Sequence, residues 1–217
     1  MIVVVLGDSR SGTSMIAIML HMLGINMNPD TTKTVNPFGC YEDVEFTNLT
    51  VEVKKKLDNE KKYDLPEIRF LMKPIVRDLY KKRSKENKHW GFKSALTHYM
   101  PGIFLCEEYD LRLIYSVRNI FHQTKSELYR LHETRVNDIN MLLPTMRKYH
   151  KGLGQLMSVM ENYSRKFPSK VICKEDINKN PVKVINGIKN FLNIDADYDK
   201  KELKEKIITD YVSWERK

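Results

Sequence analysis

Cysteine is scarce. Cys40, Cys106 and Cys173 lie far apart, with no C-x-x-C pair and no Cys/His ligand spacing. An odd, scattered set excludes a disulfide framework and a zinc site, and reads as reduced thiols of a cytosolic protein. Long apolar runs are missing too. A membrane span needs roughly 18 apolar residues, and Met15-Ile-Ala-Ile-Met-Leu20 is cut short by His21. The first residues, Met1-Ile-Val-Val-Val-Leu6, carry no basic segment and run straight into Gly7-Asp8, so no signal peptide is visible. The expectation is a soluble, cytoplasmic protein. Glycine and proline are few, 9 and 8 in 217 residues, which excludes a fibrous chain. A hydrophobic content of 41% excludes a disordered one. There is no internal repeat, low-complexity segment or linker. With a prior of roughly 100–200 residues per domain, the expectation is one domain spanning 1–217.

Positive charge is plentiful: Lys plus Arg is 37 against 28 Asp plus Glu, a formal net charge of +9. Such a balance suits an anionic ligand such as a nucleotide, a nucleic acid or an acidic glycan, and equally a lysine-rich surface. The clusters Lys54–Lys56 and Lys81–Arg83 lack interleaved aromatics and read as solvated helix faces, so nucleic acid is not the expected partner.

The elements alternate as in an α/β fold. Ile2–Leu6 is a continuous β-branched run, suited to a strand buried on both faces. Gly7–Gly12 is a small-residue loop, and Thr13–Leu23 has helical spacing with Gly24 as its C-cap. Asn26–Gly39 is a polar loop. Further strands are expected at His89–Phe92, Leu111–Val117 and Val171–Cys173. Further helices are expected at Tyr41–Leu57, Pro66–Arg83, Pro101–Glu108, Asn119–Leu131, Pro144–Tyr163, Pro181–Leu192 and Lys200–Ile208. In Pro144–Tyr163, Met146, Tyr149, Leu153, Leu156, Met157, Met160 and Tyr163 share one stripe. Gly152-Leu-Gly154 within it follows no strand and lacks a third glycine, so it is no dinucleotide fingerprint. The sum is a parallel sheet covered by helices on both faces.

The stretch that carries chemistry is Val3-Val-Val-Leu-Gly-Asp-Ser-Arg-Ser-Gly-Thr-Ser-Met15. A buried strand ending in a small-residue loop that opens a helix aims backbone N–H groups and the helix N-terminus at one point, which makes an anion site. Against the nucleotide triphosphatase pattern G-x-x-x-x-G-K-S/T, Gly7 and Gly12 have the right separation and Ser14 takes the magnesium-ligand position. Thr13 stands where the lysine should be, and the cation comes earlier, at Arg10. Such a loop is a poor ATPase or kinase site.

Arg10-Ser11-Gly12-Thr13-Ser14 resembles the phosphosulfate loop of sulfotransferases that use 3′-phosphoadenosine 5′-phosphosulfate (PAPS), in the arginine form of bacterial, phage and Golgi-type members. A second motif is similar. That family holds the nucleotide 3′-phosphate with an arginine at a strand end and a serine eight residues on. Here Leu111–Val117 is followed by Arg118, and Ser126 lies eight residues later. Physically, such a pair can converge on one phosphate. Three looser echoes are Asn36-Pro-Phe-Gly-Cys-Tyr-Glu-Asp43, Trp90-Gly-Phe-Lys93, and Val171-Ile-Cys-Lys-Glu-Asp176 followed by Asn180-Pro181, where Lys174 replaces the usual tyrosine. The glycine-rich C-terminal loop of cytosolic animal members is absent, with Trp214, Arg216 and Lys217 as the only stand-ins.

The resemblance implies a P-loop sulfotransferase fold with PAPS as sulfonate donor, no required metal, and a hydroxyl or amine acceptor. Sulfuryl transfer depends on positioning and electrostatic stabilisation of the leaving phosphate. Arg10 and the loop amides are placed for that, Ser11, Gly12, Thr13 and Ser14 bind the donor, and Arg118 with Ser126 takes its 3′-phosphate. Lys93 is the second catalytic cation. The family lysine there faces the bridging oxygen and the sulfonate. The histidine that serves cytosolic animal members as base is Ala95 here. Other branches use a glutamate after the first helix, which makes Glu42 the expected base, with Asp43 and His98 as alternatives. Two other readings stay open: an ATP-dependent small-molecule kinase, and a non-catalytic nucleotide- or polyanion-binding module.

Overall fold

Four strands, all parallel, form one sheet: β1 (Ile2–Leu6), β2 (Trp90–Lys93), β3 (Leu111–Val117) and β4 (Ser169–Cys173), in the spatial order β2-β1-β3-β4. The computed structural model describes residues 1–27, 43–49, 51–52, 65–93, 104–132 and 138–215. The helices named below are α1 (Thr13–Met22), α2 (Leu65–Glu86), α3 (Ile120–His132), α4 (Ile139–Tyr163), α5 (Lys174–Lys179), α6 (Pro181–Leu192) and α7 (Lys200–Glu215). Residues 44–49 and 51–52 are helical as well.

β1 is buried along its whole length, as its run of β-branched residues demands. Successive side chains point to opposite faces. Ile2, Val4 and Leu6 enter an aromatic layer with Phe46, Tyr80, Trp90, Phe92 and Phe104. Val3 and Val5 enter an aliphatic layer built from α1, α6 and α7, with Met15, Ile16, Met19, Ile185, Ile188 and Leu203. α1 is apolar almost all round, and seven of its ten residues are buried. A helix of that composition belongs in a core, and each fully buried Ile, Leu or Met contributes about 1.5–3 kcal/mol. On the other face the Phe46 and Phe92 rings stack at 3.8 Å, and Tyr80 packs edge-on to Trp90 while its hydroxyl donates to the Phe104 carbonyl at 2.7 Å.

The α/β fold, the parallel sheet and its helical layers match the sequence reading, with local differences. α4 begins at Ile139, five residues before Pro144, because the Asp138 side chain caps it by accepting from the Asn140 amide at 2.9 Å. Its buried stripe is Leu142, Tyr149, Gly152, Leu156 and Val159, while Met157 is 59% exposed. The expected helix to Glu108 is not continued beyond Phe104: the Tyr109 amide closes a turn on the Cys106 carbonyl. α5 is an added turn of helix directly after β4, and α7 runs on to Glu215. No described helix is long and apolar enough to cross a membrane.

Candidate functional site

The strand order fixes where a ligand can sit. From β1 the chain crosses to β2 on one side, and from β3 it crosses to β4 on the other. β1 and β3 are neighbours whose connections leave in opposite directions, and the crevice outside their carboxyl ends is the usual ligand position in an open α/β sheet. The same edge collects cations. β2 ends on Lys93, the loop after β1 carries Arg10, β3 runs into Arg118 and β4 into Lys174. Neighbouring strands lie about 4.8 Å apart, so the residues that carry these four charges all follow the same end of the sheet.

The loop between β1 and α1 is fastened from the β3 side. Three consecutive carbonyls each accept a side-chain donor: Ser9 from Gln123 Nε2 at 2.6 Å, Arg10 from Arg118 Nη1 at 3.2 Å, and Ser11 from Ser116 Oγ at 2.9 Å. Within the loop, the Ser9 amide donates to Asp8 Oδ1 at 2.7 Å and the Ser11 hydroxyl to the Asp8 carbonyl at 2.7 Å. Gly7 is required by crowding, since a Cβ there would stand 2.8 Å from the Ser116 carbonyl oxygen. Gly12 has φ 104°, and a Cβ on it would meet Lys174 Cγ at 3.1 Å, so the stem of Lys174 lies against the loop. As N-cap of α1, Gly12 offers no side chain to the first-turn amides, and that turn contains no acid. The helix N-terminus is therefore built to receive an anion. Arg10 adopts φ 65° without being glycine, a conformation that costs about 1–3 kcal/mol and persists where the surroundings impose it.

The two motifs meet. Arg10 donates from Nε and Nη2 to Ser126 Oγ at 3.2 and 3.0 Å, and Arg118, 8% exposed, holds the Arg10 carbonyl. A side chain of the loop thus touches the second turn of α3, over 116 positions of sequence. Behind them Glu127 is buried and takes a two-pronged ion pair from Arg130 at 3.1 and 2.8 Å. Burial raises the Glu127 pKa, but the Arg130 hydrogen bond and the charges of Arg130, Lys148 and Arg10 outweigh it and hold the carboxyl below its ordinary value. Tyr149 reaches in from α4, its hydroxyl 3.1 Å from Ser9 Oγ. Burial, with the Glu127 and Asp8 charges, pushes this phenol up to about 12. A cleft between α4 and the strand ends is lined by Asp8, Ser11, Arg118, Gln123, Tyr149 and Leu156, among others. Gln123 and Tyr149 escape sequence reading: Tyr149 lies on an apolar helical stripe and looks like core, and nothing local marks Gln123.

On the other side of the loop, Lys93 is only 4% exposed and its ammonium donates to Ser14 Oγ at 3.1 Å, in the first turn of α1. Its carbonyl accepts from the Asp43 amide at 3.2 Å. The Asp43 carboxylate is committed to structure. Oδ1 accepts from the amides of Glu45 and Phe46 at 3.0 and 3.2 Å, capping residues 44–49, and Oδ2 accepts from the buried Arg83 at 3.0 Å. Glu42, Ala95 and His98 lie outside the described residues, as do most of the Asn36–Asp43 segment, Arg216, Lys217 and the side chain of Trp214. Among the described residues no group of three or more His, Cys, Asp or Glu is placed to hold a metal ion.

The arrangement can seat a polyanion along the sheet edge, with backbone amides and hydroxyls in the middle, Arg118 and Ser126 at one end and Lys93 at the other. In structure the chain is similar to the sulfotransferase STF9 from Mycobacterium avium, with 14% identity and a TM-score of 0.49 over 99% of this chain and 68% of that one. It is likewise similar to the sulfotransferase domain of the Synechococcus PCC 7002 olefin synthase, with 15% identity and a TM-score of 0.45 over 90% of this chain and 74% of that one. No protein-family model matches the chain, and no curated protein matches it in sequence.

Proposed function

We propose that the protein is a sulfotransferase that moves the sulfonate of PAPS to a hydroxyl or amine acceptor and releases adenosine 3′,5′-bisphosphate. The observation that carries this reading is the meeting of the phosphosulfate-type loop with the strand-end arginine and its serine. Arg10 bonds Ser126, and Arg118 bonds the Arg10 carbonyl. A triphosphate site needs no such second anchor on β3 and α3, whereas a donor with a phosphate at each end of its ribose does. The loop itself suits a diester or phosphosulfate group: Gly12 lets the anion approach, and Thr13 and Ser14 add hydroxyls to the α1 amides.

In the reaction the acceptor oxygen or nitrogen attacks sulfur in line. The bond from sulfur to the 5′-phosphate oxygen breaks, and that oxygen leaves with the electron pair. Lys93 and the α1 amides stabilise the charge that develops there. The acceptor's proton goes to Glu42, the residue directly before Asp43, whose amide is tied to the end of β2. Glu42→Gln is expected to lower turnover by about 10²–10⁴ while leaving donor binding intact. Full activity in that variant would remove Glu42 from the mechanism.

The decisive experiment is thermal stabilisation by ligand. Adenosine 3′,5′-bisphosphate without magnesium should raise the melting temperature, and ATP with magnesium should do much less, because ATP has no 3′-phosphate. Equal stabilisation by both favours a kinase and overturns the proposal. Transfer of labelled sulfate from PAPS to a panel of alcohols, phenols, sugars and amines then identifies the acceptor class.

A further inference from the structure

We infer that Lys174 is a second ammonium for the anion seated at the N-terminus of α1, closing on it from the β4 side as Lys93 does from the β2 side. The group it takes is the 5′-phosphate or phosphosulfate of a nucleotide. This rests on the sulfotransferase reading and deepens it, because it gives a role to the residue at which the late motif departs from its resemblance.

Three observations carry the assignment. The first is direction. In the order β2-β1-β3-β4, β3 separates β4 from β1 and the loop that follows it. Lys174 comes directly after β4, whose last residue, Cys173, pairs with Val117 at the end of β3. The Lys174 side chain nevertheless reaches Gly12: its Cγ, Cβ and Cδ lie 3.1, 3.2 and 3.4 Å from where a Gly12 Cβ would stand. The stem therefore runs inward across the end of β3 and not outward past β4. The second is what it meets there. Gly12 is the N-cap of α1 and brings no side chain of its own, and the ammonium is only two bonds beyond Cδ. It is held close to the same first turn in which Ser14 Oγ accepts from the Lys93 ammonium at 3.1 Å. Lysines from the two outer strands of the described sheet thus converge on one helix end. The third is charge. A cation against the positive end of a helix is repelled by it, and an anion seated at that end turns the repulsion into attraction. A phosphate monoester carries about −1.5 to −2 at pH 7, more than one ammonium balances. A phosphosulfate likewise bears a negative charge on each of its two groups.

The consequence is a division of labour between the two lysines. Lys174 lies along the loop at Gly12 and holds the 5′ group in donor and product alike, so its loss falls on affinity more than on turnover at saturating donor. Charge that develops on the leaving oxygen stays with Lys93 and the α1 amides.

The test is calorimetric binding of adenosine 3′,5′-bisphosphate and adenosine 3′-monophosphate, which differ only in the 5′-phosphate. The wild type should prefer the bisphosphate strongly. Lys174→Met keeps an apolar stem over Gly12 and removes the charge. It should weaken the bisphosphate by about ten-fold or more, as for a lost hydrogen bond to a charged group, and leave the 3′-monophosphate within about two-fold, so that the preference collapses. Lys174→Arg should keep most of the preference. Unchanged affinity for both ligands in Lys174→Met means that the side chain only packs on the loop, and overturns the proposal. An equal fall for both ligands places the charge at the 3′ end, beside Arg118, and overturns it as well. A wild type that binds both ligands equally, or neither, overturns the donor reading itself and this assignment with it. The ligand-free melting temperature separates a folding defect, and Lys174→Gln carries the same comparison if Lys174→Met does not fold.

Discussion

The two ends of the loop are held by opposite means. At the Arg118 end, side chains of β3, of the residue that follows it, and of α3 and α4 reach over and bond the loop's carbonyls and hydroxyls one by one: Ser116, Arg118, Gln123 and Tyr149. At the Lys93 end, support comes from a distance. Arg83 of α2 holds Asp43, the Asp43 amide holds the Lys93 carbonyl, and a stack of Phe46 on Phe92 presses the same two segments together. A site that anchors one nucleotide needs rigid, closely spaced donors. A site that varies its acceptor gains from an end assembled out of exchangeable loops and helices on a fixed sheet. Under the proposed function, the difference between the two halves would match a fixed donor and a variable acceptor.

The largest effect is expected from Arg83→Met. It removes the guanidinium that bonds both the Asp43 carboxylate, 1% exposed, and the neighbouring Glu45 carboxylate, and breaking a buried pair by removing one partner costs about 3–5 kcal/mol. The helix amides that Asp43 also caps moderate this toward the lower figure. Urea unfolding gives the number. If the Lys93 end hangs on this pair, surviving turnover should fall while affinity for adenosine 3′,5′-bisphosphate holds. A loss below about 1 kcal/mol would show that the aromatic stack alone fastens that end.

Next comes the split between the two buried cations. Lys93→Met should lower turnover by about 10²–10³, the usual effect of removing a donor aimed at developing charge, with bisphosphate affinity nearly unchanged. Arg118→Ala should weaken bisphosphate binding by about 1.5–3 kcal/mol and leave turnover at saturating donor much closer to wild type. Should both variants change affinity and turnover in the same proportion, the two ends are not functionally distinct.

This asymmetry also explains what could be read from the sequence. The loop, Arg118 and Ser126 are legible because strand, loop and helix follow one another locally and impose their spacing: Ile2–Leu6 and Leu111–Val117 are strands over the very residues the pattern marks. The Arg83–Asp43 pair is not legible, because it joins residues 40 positions apart and Arg83 sits in a basic cluster that looks like solvated helix surface. Asp43 shows the reverse error. An acid just after an Asn-Pro-Phe-Gly turn looks available for proton transfer, and only the fold reveals that it caps a helix and neutralises an arginine. Lys174 reads from the sequence as a bare departure from a tyrosine. In the fold its stem covers Gly12, because β4 ends level with β3, Cys173 pairing with Val117. Where the chemistry depends on neighbours in sequence the site is readable; where it depends on what the sheet brings side by side it is not.

The smallest effect sharpens the Arg118 end. Tyr149→Phe keeps the ring and removes the hydroxyl that meets Ser9 Oγ, a neutral hydrogen bond worth about 0.5–1.5 kcal/mol. Bisphosphate affinity should change little, since the hydroxyl bonds the loop. The pH dependence carries the sharper signature. In the folded protein the phenol keeps its proton up to about 12, against 10.0 for an ordinary tyrosine. Between those values the unfolded chain releases a proton that the folded chain retains, so stability falls as pH rises. The contribution of Tyr149 is therefore fully present below about pH 10 and is lost progressively toward pH 12. Tyr80, Tyr115 and Cys106 are also shifted upward, by burial first, so the wild type and Tyr149→Phe should both lose stability in alkali. The informative quantity is the gap between their melting temperatures. It should favour the wild type from pH 7 to 9 and shrink from about pH 10 upward, because phenylalanine has no proton to lose. A gap that stays constant to pH 11 would mean that Tyr149 titrates as an ordinary phenol and that α4 does not close over the loop as tightly as its contact with Ser9 implies.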